Sequence, residues 1–138
     1  MKSSLLGQSL IGFSRGTDNG HSFRAVNPAI QQELDPRFLT ASKNELDIAA
    51  GLAEKALIPY GSSPGATRAA FLRAIAVEIE TIATELIGRA HDETALPIAR
   101  LQGELARTCG QIRLFASVIE EGSWVSARID RSDPMRKP

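Results

Sequence analysis

The sequence is short of most features that announce a function. Its 138 residues contain one cysteine, one tryptophan and one tyrosine, and aromatic residues make up 5%. A single cysteine, Cys109, excludes an internal disulfide framework and any cysteine-rich metal site, and a reducing compartment follows as the default. Neither sign of charge is in excess: sixteen Lys and Arg balance sixteen Asp and Glu, so the basic surplus of a nucleic-acid binder is missing. No apolar run reaches the roughly 18–20 residues that a membrane helix needs. Lys2 followed by Leu5, Leu6, Leu10 and Ile11 faintly resembles a secretory leader, but Gln8 and two serines interrupt it and no small-residue cleavage site follows. What remains is 43% hydrophobic and 23% charged, the balance of a folded globular chain of one-domain size.

The first forty residues read as strand and loop. Leu5–Ile11 and Phe23–Val26 are short apolar runs separated by Gly16, Asp18, Asn19 and Gly20, and they are expected to pair as a hairpin. Asn27-Pro28 ends the second run, and Asp35-Pro36 reads as a further turn. Three helices are then expected. Ser42 with Glu45 three residues on forms a capping box. After it, Leu46, Ala49, Ala53, Ala56 and Tyr60 recur at helical spacing until Pro59 and Gly61. Pro64 opens a second helix with the stripe Leu72, Ile75, Ile79, Ile82 and Leu86, running about 30 residues to Thr94, or about 45 Å. Pro97 opens a third, with Ile98, Leu101, Leu105, Thr108, Ile112, Phe115 and Ile119 on one face and Gly122 as its stop. Short links imply that the three pack antiparallel. Beyond Gly122, Val125, Ala127 and Ile129 alternate with polar residues as a half-buried strand does.

Chemistry-bearing motifs are scarce. Gly7, Gly12, Gly16 and Gly20 lie in turns and lead into no helix, so they form no phosphate loop. His21 and His91 are too far apart in sequence to suggest a metal site. Cys109 falls mid-helix beside the apolar stripe, with no histidine or helix N-terminus near it to activate a thiol, and reads as a buried structural residue. Glu93, Glu104, Glu120 and Glu121 read as helix-surface carboxylates, with no acid and base pair among them.

The order of segments nevertheless resembles one family. Leu10-Ile11-Gly12 followed by Phe23-Arg24-Ala25-Val26-Asn27-Pro28-Ala29 resembles the opening of the NAD(P)-dependent aldehyde dehydrogenases. Ala49-Ala50, Ala53, Ala56-Leu57 and Tyr60, then Arg68, Leu72 and Ile79-Glu80, resemble that family's first two helices. Glu93-Thr94-Ala95-Leu96-Pro97 followed by Glu104 resembles its next motif, and Gly122-Ser123-Trp124 the start of its oligomerisation arm. Pro36-Arg37-Phe38, Phe71 to Ala76 and Gln111 to Ala116 look most like the branch that oxidises 2,5-dioxovalerate (α-ketoglutarate semialdehyde). The sequence departs from the family pattern where Ile30-Gln31 stands for Thr-Gly and Ala95-Leu96 for Gly-Lys.

The resemblance implies an α/β family fold of which this stretch is mostly α: an N-terminal β-hairpin, three long helices and a C-terminal strand. It implies that residues 1–122 belong to the cofactor-binding domain and 123–138 begin the oligomerisation arm. In the full-length enzyme it implies NAD or NADP as cofactor, an aldehyde substrate and a dimer or tetramer, without nucleic acid or membrane partners. The family's catalytic cysteine, general-base glutamate and nucleotide-contacting residues have no counterparts among these 138 residues. No catalytic, cofactor-binding or metal residue is therefore carried over, and the chain alone is expected to be inactive. The third helix would line the mouth of the aldehyde tunnel, where Arg107 is the candidate for holding the substrate's distal carboxylate, since a planar guanidinium suits a bidentate pair. The alternative on residues alone is a free-standing helical interaction module without catalysis.

Overall fold

The computed structural model describes residues 5–126 and Met135. Two small antiparallel hairpins precede four helices: β1 (Leu10–Ile11) with β2 (Ser14–Arg15), β3 (Ser22–Asn27) with β4 (Gln32–Leu39), then α1 (Lys43–Gly61), α2 (Gly65–Thr81), α3 (Ala83–Thr94) and α4 (Ile98–Glu121), and a 3-10 turn at Ser123–Val125. Among the described helices none is long and apolar enough to cross a membrane.

The centre is the seam between α2 and α4, which run antiparallel. Its buried residues are Ala69, Ala76, Cys109 and Ala116. Such small side chains let two helix backbones come close. At one end the approach is so tight that a Cβ on Gly65 would stand 2.7 Å from the Ile119 carbonyl oxygen. Two ion pairs flank the seam, Arg113 donating to both oxygens of Glu80 at 2.7 and 2.6 Å and Arg73 pairing with Glu120. Leu101, Leu105, Ile112 and Ile119 lie half-buried on the same side of α4. The expected stripe is thus rotated slightly: Cys109 and Ala116 point inward where Thr108 and Phe115 were expected, and Phe115 is 54% exposed. The stop at Gly122 is as expected, with φ at 81° in the left-handed region.

Several expectations are corrected. The second helix is two: the chain breaks at Ile82, whose φ and ψ are −99° and 12°. The Thr81 hydroxyl donates back to the Val77 carbonyl at 2.9 Å, a bond that bends helices from within. The Leu5–Ile11 run does not pair with Phe23–Val26. Leu10 and Ile11 instead fold onto Ser14 and Arg15 across a turn at Gly12 (φ 60°), and Phe23–Val26 pairs with β4. Asp35-Pro36, read as a turn, lies within β4 as a cis peptide. A proline lacks the amide that a strand ladder uses, which argues against a strand. Here it falls where the register slips between Phe23 and Ala25, so no partner requires that amide. The β3–β4 turn puts Gln31 at φ 56°, a left-handed conformation, at the point where the family pattern has glycine. Of the expected C-terminal strand, Val125 belongs to the 3-10 turn, and Ala127 and Ile129 lie outside the described residues.

α3 ties the sheet to the helices. Its Arg89 stacks 5.6 Å over the Phe38 ring and donates to the Asp35 carbonyl, while Phe38 stacks on Phe23 at 5.6 Å. α1 does not join the expected antiparallel bundle. Glu45 is its one buried residue, and the alanine face lies largely open. What fixes α1 is that carboxylate. Ser42 caps the helix, accepting from the Glu45 N–H at 3.2 Å, and the Ser42 N–H and hydroxyl donate back to Glu45 Oε2 at 2.7 and 2.9 Å. The other oxygen accepts from the Thr17 N–H at 2.8 Å and from its hydroxyl at 3.3 Å. One side chain thereby closes a capping box and tethers the strand leaving the first hairpin.

Three predictions follow from this packing. Gly65→Ala at the first position of a helix would ordinarily be neutral or stabilising, but here the added carbon meets backbone, so a loss of about 1–3 kcal/mol is expected in urea unfolding. An unchanged or raised midpoint would contradict the close approach. The second concerns acid. Bonds from the Ser42 amide, then the Thr17 amide, lower the Glu45 carboxyl from its ordinary 4.5 to about 2. A depressed carboxyl contributes stability above its unfolded value and loses it as pH falls toward the folded one. The hydrogen-exchange protection factor of the Thr17 amide is therefore expected to hold above about pH 4.5 and to fall between there and about pH 2. In Glu45→Gln, whose side chain keeps one acceptor oxygen but does not titrate, this fall in Thr17 protection with pH is expected to disappear. Ser42→Ala is expected to cost about 1 kcal/mol.

Candidate functional site

Three places could bear chemistry. The first is a groove of about 690 Å³ between the N-terminal segment, the β3–β4 sheet and α3. Leu6, Leu10, Phe23, Phe38 and Leu86 make it apolar, and Arg15, Glu85 and Arg89 supply its charged groups. The Leu39 N–H donates to the Gly7 carbonyl at 2.8 Å and holds the segment in place. Gly7 has φ at 65°, and a Cβ there would lie 2.0 Å from the Arg37 carbonyl oxygen, so only glycine fits. Arg89 is already engaged by Glu93 at 2.6 Å, by the Asp35 carbonyl and by the Phe38 ring. The groove brings Ser9 and Thr40 hydroxyls near these groups but no histidine or cysteine. It can take up an apolar body and has no activated nucleophile.

The second place is the outer face of α4. Arg107 stands there with its side chain 71% exposed, donating from Nε and Nη2 to Glu104 Oε2 at 2.9 and 2.7 Å. That pairing, first through the hydrogen bond and then through the charge, holds the Glu104 carboxyl below its usual range. The structure sets Arg107 apart from the groove, on a helix face with open solvent in front of it.

The third is Cys109. It is 1% exposed in the α2–α4 seam, and its thiol lies 3.8 Å from the Ala76 carbonyl. This is the structural role expected of it. His91 donates from Nδ1 to the Leu96 carbonyl at 2.7 Å, steadying the turn in which Ala95 is left-handed. His21 is exposed in β3's approach. Glu93, Glu104 and Glu120 each pair with an arginine, and Glu121 accepts from the Ser123 amide at 3.0 Å. Among the described residues no three His, Cys, Asp or Glu gather as a metal would need.

The glycine-rich stretch at 7–20 leads into β3 rather than into a helix, so it does not have the context of a phosphate loop. No step of cofactor chemistry is assigned to this chain. Sequence reasoning missed Glu45 as more than a cap, and it missed the groove. The Thr17 bond joins residues 28 apart and carries no local signal, and the groove depends on the unrecognised strand β4.

The aldehyde dehydrogenase family model matches residues 15–135. The chain is 44% identical over 135 residues to alpha-ketoglutaric semialdehyde dehydrogenase 2 of Azospirillum brasilense, covering 97% of this chain and 26% of that protein. It is 38% identical over 132 residues to the alpha-ketoglutaric semialdehyde dehydrogenase of Acinetobacter baylyi, covering 96% of this chain and 25% of that one. The chain thus spans about a quarter of the length of the curated relatives it matches, in their N-terminal part. The reading as a free-standing interaction module finds no support in these matches. With nearly all of its length accounted for by one family model and by two dehydrogenases at these identities, the chain belongs to the aldehyde dehydrogenase family.

Proposed function

We propose that this chain is the N-terminal part of an NAD(P)-dependent dehydrogenase that oxidises α-ketoglutarate semialdehyde to the dicarboxylate in the cytoplasm. The 44% identity to the Azospirillum brasilense enzyme is the observation that carries this reading. Residues 1–122 would belong to the cofactor-binding domain and 123–138 to the start of an arm used in a dimer or tetramer. The chain's own contribution is scaffold and tunnel wall. Attack on the aldehyde and hydride transfer to NAD or NADP would fall to residues outside these 138.

The substrate differs from a plain aldehyde by a distal carboxylate, and a cation on the tunnel side of α4 would recognise it. Arg107 has the right chemistry and exposure, and its Nη1 edge is left clear of the Glu104 bonds. Charge-assisted hydrogen bonds of this kind contribute about 1.5–3 kcal/mol.

Two measurements test the reading. The purified chain, given NAD or NADP and a semialdehyde, is expected to produce no absorbance of reduced cofactor; steady turnover would refute the assignment of the chemistry elsewhere. Next, this chain is placed in frame of the matched N-terminal stretch of the Azospirillum brasilense enzyme. In that chimera Arg107→Ala is expected to raise KM for the carboxylated aldehyde by about tenfold to a hundredfold, with propanal little affected. An unchanged preference between the two would remove Arg107 from substrate recognition.

A further inference from the structure

The outer face of α4 carries more than Arg107. Successive residues of a helix turn by about 100°, so Arg107 faces away from Cys109 and Ala116, which α4 buries in the seam. Its neighbours on the outer face differ from one side to the other. Gly103, four residues before it, and Gly110, three after it, lie on one side, and a Cβ added to either would meet nothing within 4 Å. Glycine weakens a helix interior, and these two leave the backbone bare beside the guanidinium. Glu104 and Gln111 lie on the other side. Glu104 takes the Nε and Nη2 hydrogens at 2.9 and 2.7 Å, which fixes the plane of the guanidinium. Gln111 is exposed, and among the described residues its side-chain amide has no hydrogen-bond partner. It stands one turn beyond Arg107 and leans back toward it, because helix side chains tilt toward the N-terminus.

We propose that Gln111 determines specificity for a 2-oxo acid, donating to the substrate's ketone beside the carboxylate that Arg107 holds. The inference rests on Arg107 as the carboxylate's partner and narrows the substrate from a carboxylated aldehyde to one with a neighbouring ketone. α-Ketoglutarate semialdehyde differs from 5-oxopentanoate at one carbon, where a ketone replaces a methylene next to the carboxylate. Its distal end therefore offers acceptor oxygens and no donor. The Nη1 and Nη2 end of Arg107 satisfies the carboxylate as a bidentate pair. The ketone needs another donor nearby, and Glu104 cannot be it, since a carboxylate only accepts. The Gln111 amide has two N–H groups and no charge. It can bind a ketone without drawing in carboxylates in general. The bare backbone at Gly103 and Gly110 leaves room for the substrate's carbon chain on the opposite side of Arg107.

The test uses the chimera in which this chain replaces the matched stretch of the Azospirillum brasilense enzyme. Gln111→Met keeps an unbranched side chain of good helix propensity and removes the donor. Gln111→Leu removes it with a second shape. For each, kcat/KM is measured with α-ketoglutarate semialdehyde, 5-oxopentanoate and propanal. Both variants are expected to lower the ratio of the first to the second by about threefold to tenfold, with 5-oxopentanoate and propanal little changed. Arg107→Ala is expected to weaken the two carboxylated substrates alike. A ratio that stays the same in both Gln111 variants overturns the proposal. So does an equal loss on all three substrates, which is the mark of a structural residue. If Arg107→Ala still weakens both carboxylated substrates in that event, Arg107 keeps its role and Gln111 alone loses one. A lowered ratio in the Gln111 variants with no effect of Arg107→Ala supports Gln111 and removes Arg107 instead.

Discussion

Everything in this fold hangs from the near-contact of two helix backbones. α2 and α4 meet through alanines, a cysteine and a glycine, so the seam holds by burying small apolar groups at short range rather than by large interlocking side chains. α3 is carried on that pair, and the β3–β4 sheet is carried on α3 through Arg89 and Phe38. The order of dependence is therefore helix seam first, sheet second. The ion pairs of Arg113 with Glu80 and of Arg73 with Glu120 lie at the edges of the seam, half in water. Exposed pairs of that kind add little to stability but fix which turns of the two helices face each other.

Two unlike layers of recognition emerge from the same residues. Apolar spacing accounts for the helices and says little of purpose. Kinship says more: the chain belongs to the aldehyde dehydrogenase family and spans about a quarter of the length of the relatives it matches. α1 and Phe115 leave apolar side chains exposed, among them Leu46, Leu57 and Phe115 at 65%, 70% and 54%, the kind of surface that marks an interaction site when it is contiguous.

Local signals were legible and long-range ones were not. The capping box at Ser42, the stop at Gly122 and the burial of Cys109 could be read because each depends on residues within a turn or two. β4 could not, because Pro36 argues against a strand unless the register slip opposite it is known. The break at Ile82 leaves the apolar spacing intact on both sides, so periodicity runs straight through it. The antiparallel packing of α4 against the helical stretch before it was legible from the short link at 95–97, though the main partner is α2, one helix further back; the same reasoning placed α1 in the bundle, where it does not lie. Of the candidate site, the residue type at Arg107 was visible in sequence. Its partner Glu104 was recognised only as a surface carboxylate, and the groove beside α3 left no sequence trace.

The attachment of α1 differs in kind from the rest of the fold, and temperature tells the two apart. Contacts between apolar surfaces weaken on cooling as the ordering of water loses its leverage. A carboxylate gripped by four hydrogen bonds from Ser42 and Thr17 has no such dependence, since its strength is electrostatic and directional. In the cold the helix seam slackens before the joint does. The angle between α1 and the segment that leaves the first hairpin is then preserved under conditions that loosen the helices behind it.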